Sequence, residues 1–325
     1  MFRFLGALSL LLLLPHAMAH AQFTSSDPLS VDLSPQYPQP YETVTITPGS
    51  TLIDLSAAVV KVFVNGKLIS TDSGIQTIPI NVGGPGEKTT ITVSATVGGK
   101  TYKKDLALRP ADVSLVVEPV STAHPMYMGA LGLAPEGRVR VIGIADLRSS
   151  TNVRLNPATL VYTWHFGNQI LQSDSGLGHN VLIATAPPRY RDAQLTLTVT
   201  SPDGAIVAEN STVLQPIDPL VRIYRSTPLF GIDFDHALSD TYSLSGAEES
   251  FRGVAYFFGA TPELAWNVGG QGSGSDKDVT VRTTGAGSGN ATLSLTARLV
   301  ETHQSVTNSL RLVFGKKTST NLFGF

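Results

Sequence analysis

Four side chains suited to hydrolytic chemistry crowd into the stretch LVYTWHFGNQILQSDSGLG (160–178): His165, Ser173, Asp174 and Ser175. A Ser-His-Asp site needs these groups to converge, with the serine on a strained turn beside oxyanion donors. The chain contains no G-x-S-x-G. On a strand, alternation puts Tyr162, Trp164 and Phe166 on one face and His165 on the other, away from the packed side. The expectation is an ordinary outward histidine and no catalysis.

A second cluster, GIDFDHALSD (231–240), offers Asp233, Asp235, His236 and Asp240. Carboxylates two apart on a strand share a face, so Asp233, Asp235 and His236 are the candidate metal ligands. The stretch lacks the D-x-D-x-D-G of a calcium loop, and a solvated strand edge without metal is expected. Asp218, Asp276 and Asp278 are too sparse to predict a cation site. The histidines beyond the leader (His124, His165, His179, His236, His303) show no H-E-x-x-H. Gly-rich GGQGSGS (269–275) and GAGSGN (285–290) lack the lysine of a phosphate loop and read as loops between strands. No cofactor is expected, and the chain reads as a non-enzyme.

The elements that carry these residues are strands. ETVTIT (42–47), KVFVNGK (61–67), TITVSATV (90–97), AQLTLTVT (193–200) and ATLSLTARL (291–299) alternate apolar with polar residues. Period two marks half-buried strands, and Gly, Pro and Asn punctuate them at short intervals. No later stretch sustains a helical period over three turns. The fold expected is all-β, built of sandwiches.

A repeat sharpens this. A shift of 102 residues lays Val62, Val64 and Lys67 on Trp164, Phe166 and Gln169, and a second such shift reaches Trp266, Val268 and Gln271. Between the arms stand Asn65-Gly66, Gly167-Asn168 and Gly269-Gly270, all pairs that accept positive φ in a two-residue hairpin turn. Val62, Val64, Trp164, Phe166, Trp266 and Val268 are therefore the expected core markers. The same shift aligns Asp72-Ser73-Gly74 with Asp174-Ser175-Gly176. Ser121-Thr122-Ala123-His124-Pro125 with Gly129 matches Ser226-Thr227-Pro228 with Gly231. Three domains follow, 28–110, 111–216 and 217–315, joined at the Pro-containing ALRPAD and LQPIDP.

Trp164-His165-Phe166-Gly167, set in a β-rich repeat of this length, resembles the PKD-type and related bacterial Ig-like domains. Those families usually place aspartate after the glycine, where Asn168 stands here. The resemblance implies three tandem Ig-like (PKD-like) β-sandwiches and a setting on exported surface proteins. It implies no activity, because such domains serve as spacers, adhesion modules and assembly units.

The chain opens with Arg3, an apolar run from Phe4 to Leu14 and Ala19-His20-Ala21, the layout of a signal peptide (1–21) with maturation at Gln22 or, as second choice, His20. A retained N-terminal anchor is the alternative, disfavoured because the run is short and ends at Pro15. An exported protein follows: extracellular, at the cell surface or periplasmic, without an integral span in the mature chain. With no cysteine among 325 residues, packing alone must hold the fold. The formal net charge of −2 comes without a basic stripe, which argues against nucleic acid. The expected function is a cell-surface structural, adhesion or assembly component whose partner is a protein or a surface polymer. The alternative is a secreted carbohydrate- or polymer-binding module using Tyr127, Tyr242, Tyr256, Phe257 or Phe258. The tail KKTSTNLFGF (316–325) reads as a disordered or a strand-adding segment, the latter a route to self-association.

Overall fold

The computed structural model describes residues 27–284 and 287–315. The leader 1–21 and the tail 316–325 lie outside them. Among the described residues there is no α-helix; the chain forms 24 strands and two short 3-10 turns.

The first sandwich contains β1 (Ser30–Ser34), β2 (Thr43–Gly49), β3 (Val59–Val64), β4 (Lys67–Ser73), β5 (Ile78–Asn81), β6 (Thr89–Val97) and β7 (Lys100–Leu108). The second contains β8 (Asp112–Pro119), β9 (Arg138–Asp146), β10 (Val161–Phe166), β11 (Gln169–Ile170), β12 (Gly176–Leu177), β13 (Val181–Thr185), β14 (Ala193–Thr200) and β15 (Val207–Leu214). The third contains β16 (Leu220–Thr227), β17 (Gly231–Leu238), β18 (Thr241–Ser243), β19 (Glu248–Tyr256), β20 (Glu263–Val268), β21 (Gln271–Gly274), β22 (Asp278–Arg282), β23 (Gly289–Leu299) and β24 (Gln304–Phe314).

One plan recurs. The sheets β1-β2-β5, β8-β9-β13 and β16-β19-β22 each face a second sheet, β4-β3-β6-β7, β11-β10-β14-β15 or β21-β20-β23-β24. The fourth strand of the plan thus pairs with the third, whereas constant-type immunoglobulin domains place it in the sheet that holds the first. The chain is three tandem Ig-like β-sandwiches. The third domain adds β17 at the edge of β16, and β18 pairs parallel to β24.

Alternation explains which side of each strand is buried. In β14, Leu195, Leu197 and Val199 are fully buried, and Thr196 and Thr198 point outward. Three separate apolar clusters result, centred on Val62 and Val93, on Trp164 and Leu197, and on Trp266 and Leu295. Threonines on the outer faces pair across strands, as in Thr96–Thr101 at 3.0 Å and Thr296–Thr307 at 2.8 Å.

The three hairpins meet one backbone demand in two ways. Asn65 (φ 50°) with Gly66 (φ 79°) and Gly269 (φ 59°) with Gly270 (φ 88°) are positive at both positions, as in type I′. Of Gly167 and Asn168 only the glycine is positive, at 57°, the pattern of type II′. In all three the first turn residue donates its N–H to the strand leading to the closing hairpin: Asn65 to Thr90 O, Gly167 to Gln194 O and Gly269 to Thr292 O.

The repeat reaches further than its sequence shows. Asp54 and Asn156, 102 residues apart, each cap a 3-10 turn by accepting a hydrogen bond from the N–H two residues on. Elsewhere like sequence folds unlike. Ser226–Gly231 closes the β16–β17 hairpin, whereas Ser121–Gly129 belongs to the connection between β8 and β9. Gln271–Gly274, read as loop from its glycines, is the edge strand β21, with Gly274 at φ 123° beside a register shift. An edge strand needs pairing on one side only, so the missing side chains cost little there.

Candidate functional site

The serines of the 160–178 stretch are structural. Ser175 Oγ accepts from Trp164 N at 2.9 Å and donates to Leu171 O at 2.7 Å, holding the bend between β11 and β12. Ser173 Oγ donates to Asp174 Oδ2 at 2.9 Å. His165 sits in register between Ile170 and Thr196, and its ring makes no hydrogen bond among the described residues. The three groups of a nucleophilic site are not brought together.

Tyr162 and Trp164 are fully buried, and half-buried Phe166 packs on the same cluster. Val62 and Trp266 lie in their own cores, with Val64 and Val268 packed against them. Each indole N–H finds a main-chain acceptor: Trp164 Nε1 donates to His179 O and Trp266 Nε1 to Asp276 O, both at 2.9 Å. Across the sandwich a glycine faces each ring. A Cβ on Gly143 would overlap Leu197 Cδ2, and one on Gly253 would lie 2.5 Å from Leu295 Cδ2 and 3.0 Å from Trp266 Cζ2. No sequence motif marks these glycines.

Among the described residues no three His, Asp or Glu side chains gather as metal ligands. His236 Nδ1 lies 3.1 Å from Asp233 Oδ1, and both are exposed. Asp235 lines the same surface groove as Asp233 without joining that pair.

Side chains do converge where the second and third domains meet. The connection 120–137 runs from the second domain over the outer face of the β16–β19 sheet. Thr122 N donates to Phe258 O at 2.9 Å, Phe257 N donates to Thr122 O at 2.8 Å, and Phe258 N donates to Thr122 Oγ1 at 3.1 Å. His124 stacks on Phe234 with ring centroids 4.5 Å apart and meets Tyr224, Tyr256 and Tyr127 edge-on. The Tyr224 and Tyr256 hydroxyls are 2.6 Å apart. These tyrosines point away from the third domain's core, yet both are buried because the connection covers them.

Two glycines let the main chains close in: a Cβ on Gly259 would stand 2.9 Å from Gly137 Cα. A Cβ on Gly132 would overlap Ile217 Cδ1. Gln304 Nε2 donates to Pro135 O at 2.9 Å, and Arg189 Nε lies 2.6 Å from Asp218 Oδ1. The Arg189 guanidinium holds the Asp218 carboxyl below its ordinary range. Burial, reinforced by Tyr224, pushes the Tyr256 hydroxyl well up. At the other end of the third domain, burial and the neighbouring Glu249 push Tyr242 up to about 12. Burial opposes the Glu249 charge, but the hydrogen bonds from Ser245 and the neighbouring Tyr242 hydroxyl outweigh it and hold that carboxyl below the usual value.

Beside the seam lies a groove of about 1000 Å³ that includes His124, Phe234, Arg252, Glu263, Lys277 and Arg298. Of the aromatics considered for polymer binding, Tyr256 and Phe258 are buried, Tyr242 packs on the third core, and Tyr127 and Phe257 are half-buried in the seam. The seam supplies packing and hydrogen bonding.

No protein-family model matches the sequence, and no curated protein matches it. Among solved structures it is similar to the three N-terminal domains of the outer capsid protein Hoc of bacteriophage RB49. That match has 12% identity over 88% of this chain and 98% of that one, with a TM-score of 0.25. Sidekick-1 immunoglobulin domains 1–5 match at 12% identity over 86% of this chain and 56% of theirs, with a TM-score of 0.30. The central fibronectin-III array of RIM-binding protein matches at 10% over 88% and 96%, with a TM-score of 0.28.

Proposed function

We propose that the chain is a non-enzymatic, exported structural component, serving adhesion or assembly at a cell surface, with domains at 28–110, 111–216 and 217–315. Its second and third domains act as one stiff unit that presents loops and sheet edges to a protein or surface polymer. The observation that carries this reading is the seam at Thr122, where three hydrogen bonds to Phe257 and Phe258 join domains that share no core. Inter-domain contacts within a chain are by default mobile, and a hydrogen-bonded seam with main chains in contact restrains them. The PKD-type affinity of the middle domain rests on Trp164-His165-Phe166-Gly167.

Cell fractionation with N-terminal sequencing tests the export. The mature protein should begin at Gln22 and leave the cytosol; recovery there with residues 1–21 intact would overturn the reading. A disrupted strain should lose adhesion or surface assembly, and one that keeps both would reject the role.

A polymer-binding module is the second reading, favoured by the groove beside the His124–Phe234 stack. Binding on a polysaccharide array that disappears with Phe234→Ala would support it. An array without binding would dismiss it.

A further inference from the structure

The 120–137 connection and the β16–β17 hairpin enclose a second groove, of about 560 Å³. Met126, Met128 and Phe230 line it while 72%, 98% and 87% exposed. Large apolar side chains standing this free, on loops from two domains, mark a surface that another segment covers. His124 and Phe234 also line this groove, so it continues the buried seam. Asp233 and Asp235 stand along it, with Arg225 the one fixed positive charge among its lining residues. An occupant should bring large apolar side chains and positive charge.

The segment 316–325, KKTSTNLFGF, has that composition: Lys316 and Lys317 lead, and Leu322, Phe323 and Phe325 follow. The described chain before it, at the end of β24, lies near the groove. Leu244 N donates to Val313 O near the end of β24, and Ser245 N donates to Glu249. Glu249 adjoins Ser250, the register partner of Ser226 at the foot of the β16–β17 hairpin. β17 in turn leads into β18, which lies beside β24. The end of β24 and the hairpin therefore share one end and one edge of the domain. Ten extended residues span up to about 33 Å, against roughly 10 Å between the packed sheets that hold β24 and β17.

We propose that 316–325 folds back within its own chain and seats its phenylalanines against Met126, Met128 and Phe230, with its lysines beside Asp233 and Asp235. A short tether makes this contact intramolecular, at an effective concentration that free partners rarely reach. The assignment goes beyond the function proposed above and does not depend on export.

The absence of cysteine makes the test clean. In the full mature chain, Met128→Cys with Phe323→Cys is exposed to a mild oxidant, and products are separated without reductant. Met128 is almost fully exposed, so the substitution spares the core. The control pairs Phe323→Cys with Thr151→Cys, on an exposed turn next to residues that touch the first domain. A closed monomer should form at least about tenfold faster than in the control. Adding Asp233→Lys and Asp235→Lys should slow closure roughly tenfold at low salt, and less at high salt. Closure no faster than the control would overturn the proposal. Disulfide-linked dimers as the main product would also overturn it, transferring the contact to a second copy. Indifference to the charge reversal would reject the placement of the lysines.

Discussion

Thr122 and Phe258, from different domains, are joined twice: the Thr122 N–H donates to Phe258 O, and the Phe258 N–H donates to Thr122 Oγ1. This pair, with Phe257 beside it, turns two sandwiches with separate cores into neighbours with a fixed seam.

Thr122→Pro removes the donor and the accepting hydroxyl at once. The seam should weaken by about 1–3 kcal/mol. Calorimetry should then resolve the third domain melting apart from the second, and scattering should report a wider spread of inter-domain angles. Unchanged melting and scattering would mean that the aromatic stack and the Gln304–Pro135 and Arg189–Asp218 contacts hold the seam without Thr122.

Gly253→Ala should destabilise the third domain by about 1–3 kcal/mol, because the added methyl meets Leu295 and Trp266 with no free space. Urea denaturation followed by tryptophan emission reads this directly. Trp164 and Trp266 are the chain's two tryptophans and lie in different domains. A midpoint equal to the parent's would show that the Leu295 end moves aside freely.

Ser175→Ala should cost the second domain roughly 1–2 kcal/mol, since it strips partners from Trp164 N and Leu171 O. His165→Ala should stay within about 0.5 kcal/mol, as for an ordinary surface change. A catalytic cluster would behave otherwise: both changes would abolish a hydrolytic activity while leaving the denaturation midpoint in place.

Tyr242 and Tyr256 both have folded-state pKa values above their unfolded ones. The folded protein therefore keeps protons that the unfolded chain releases. Their contribution is complete below about pH 10, the unfolded value, and is lost as pH rises towards 12, where folded Tyr242 titrates. Glu249 works in the opposite sense. Its lowered carboxyl adds stability above the unfolded value near about 4.3, lost as pH falls through the folded one. Denaturation midpoints across pH should fall at both ends for the third domain, and Tyr242→Phe should flatten the alkaline limb. An alkaline limb identical in Tyr242→Phe would remove Tyr242 as its source.

Much of the architecture was legible because it is local. Period-two alternation assigns a face to each residue, so the inward placement of Tyr162, Trp164 and Phe166 follows from order along the chain. Two-residue turns need positive φ, which few residues accept, so Asn65-Gly66, Gly167-Asn168 and Gly269-Gly270 announced themselves. The glycines under the tryptophans did not. Gly143 and Gly253 stand far from Trp164 and Trp266 in sequence, and their smallness matters only when two sheets approach.

By itself, then, the sequence determined an all-β chain with three hairpins at one repeat and an indole at the heart of two of them. Those features depend on spacing within a few residues. The tertiary structure alone decided what covers each outward face. Tyr224 and Tyr256 alternate to the outside of their sheet and would be wet if the third domain stood alone. They are buried because a connection from the second domain, about a hundred residues earlier, lies over them. Periodicity names a face, and only the path of the distant chain supplies its partner.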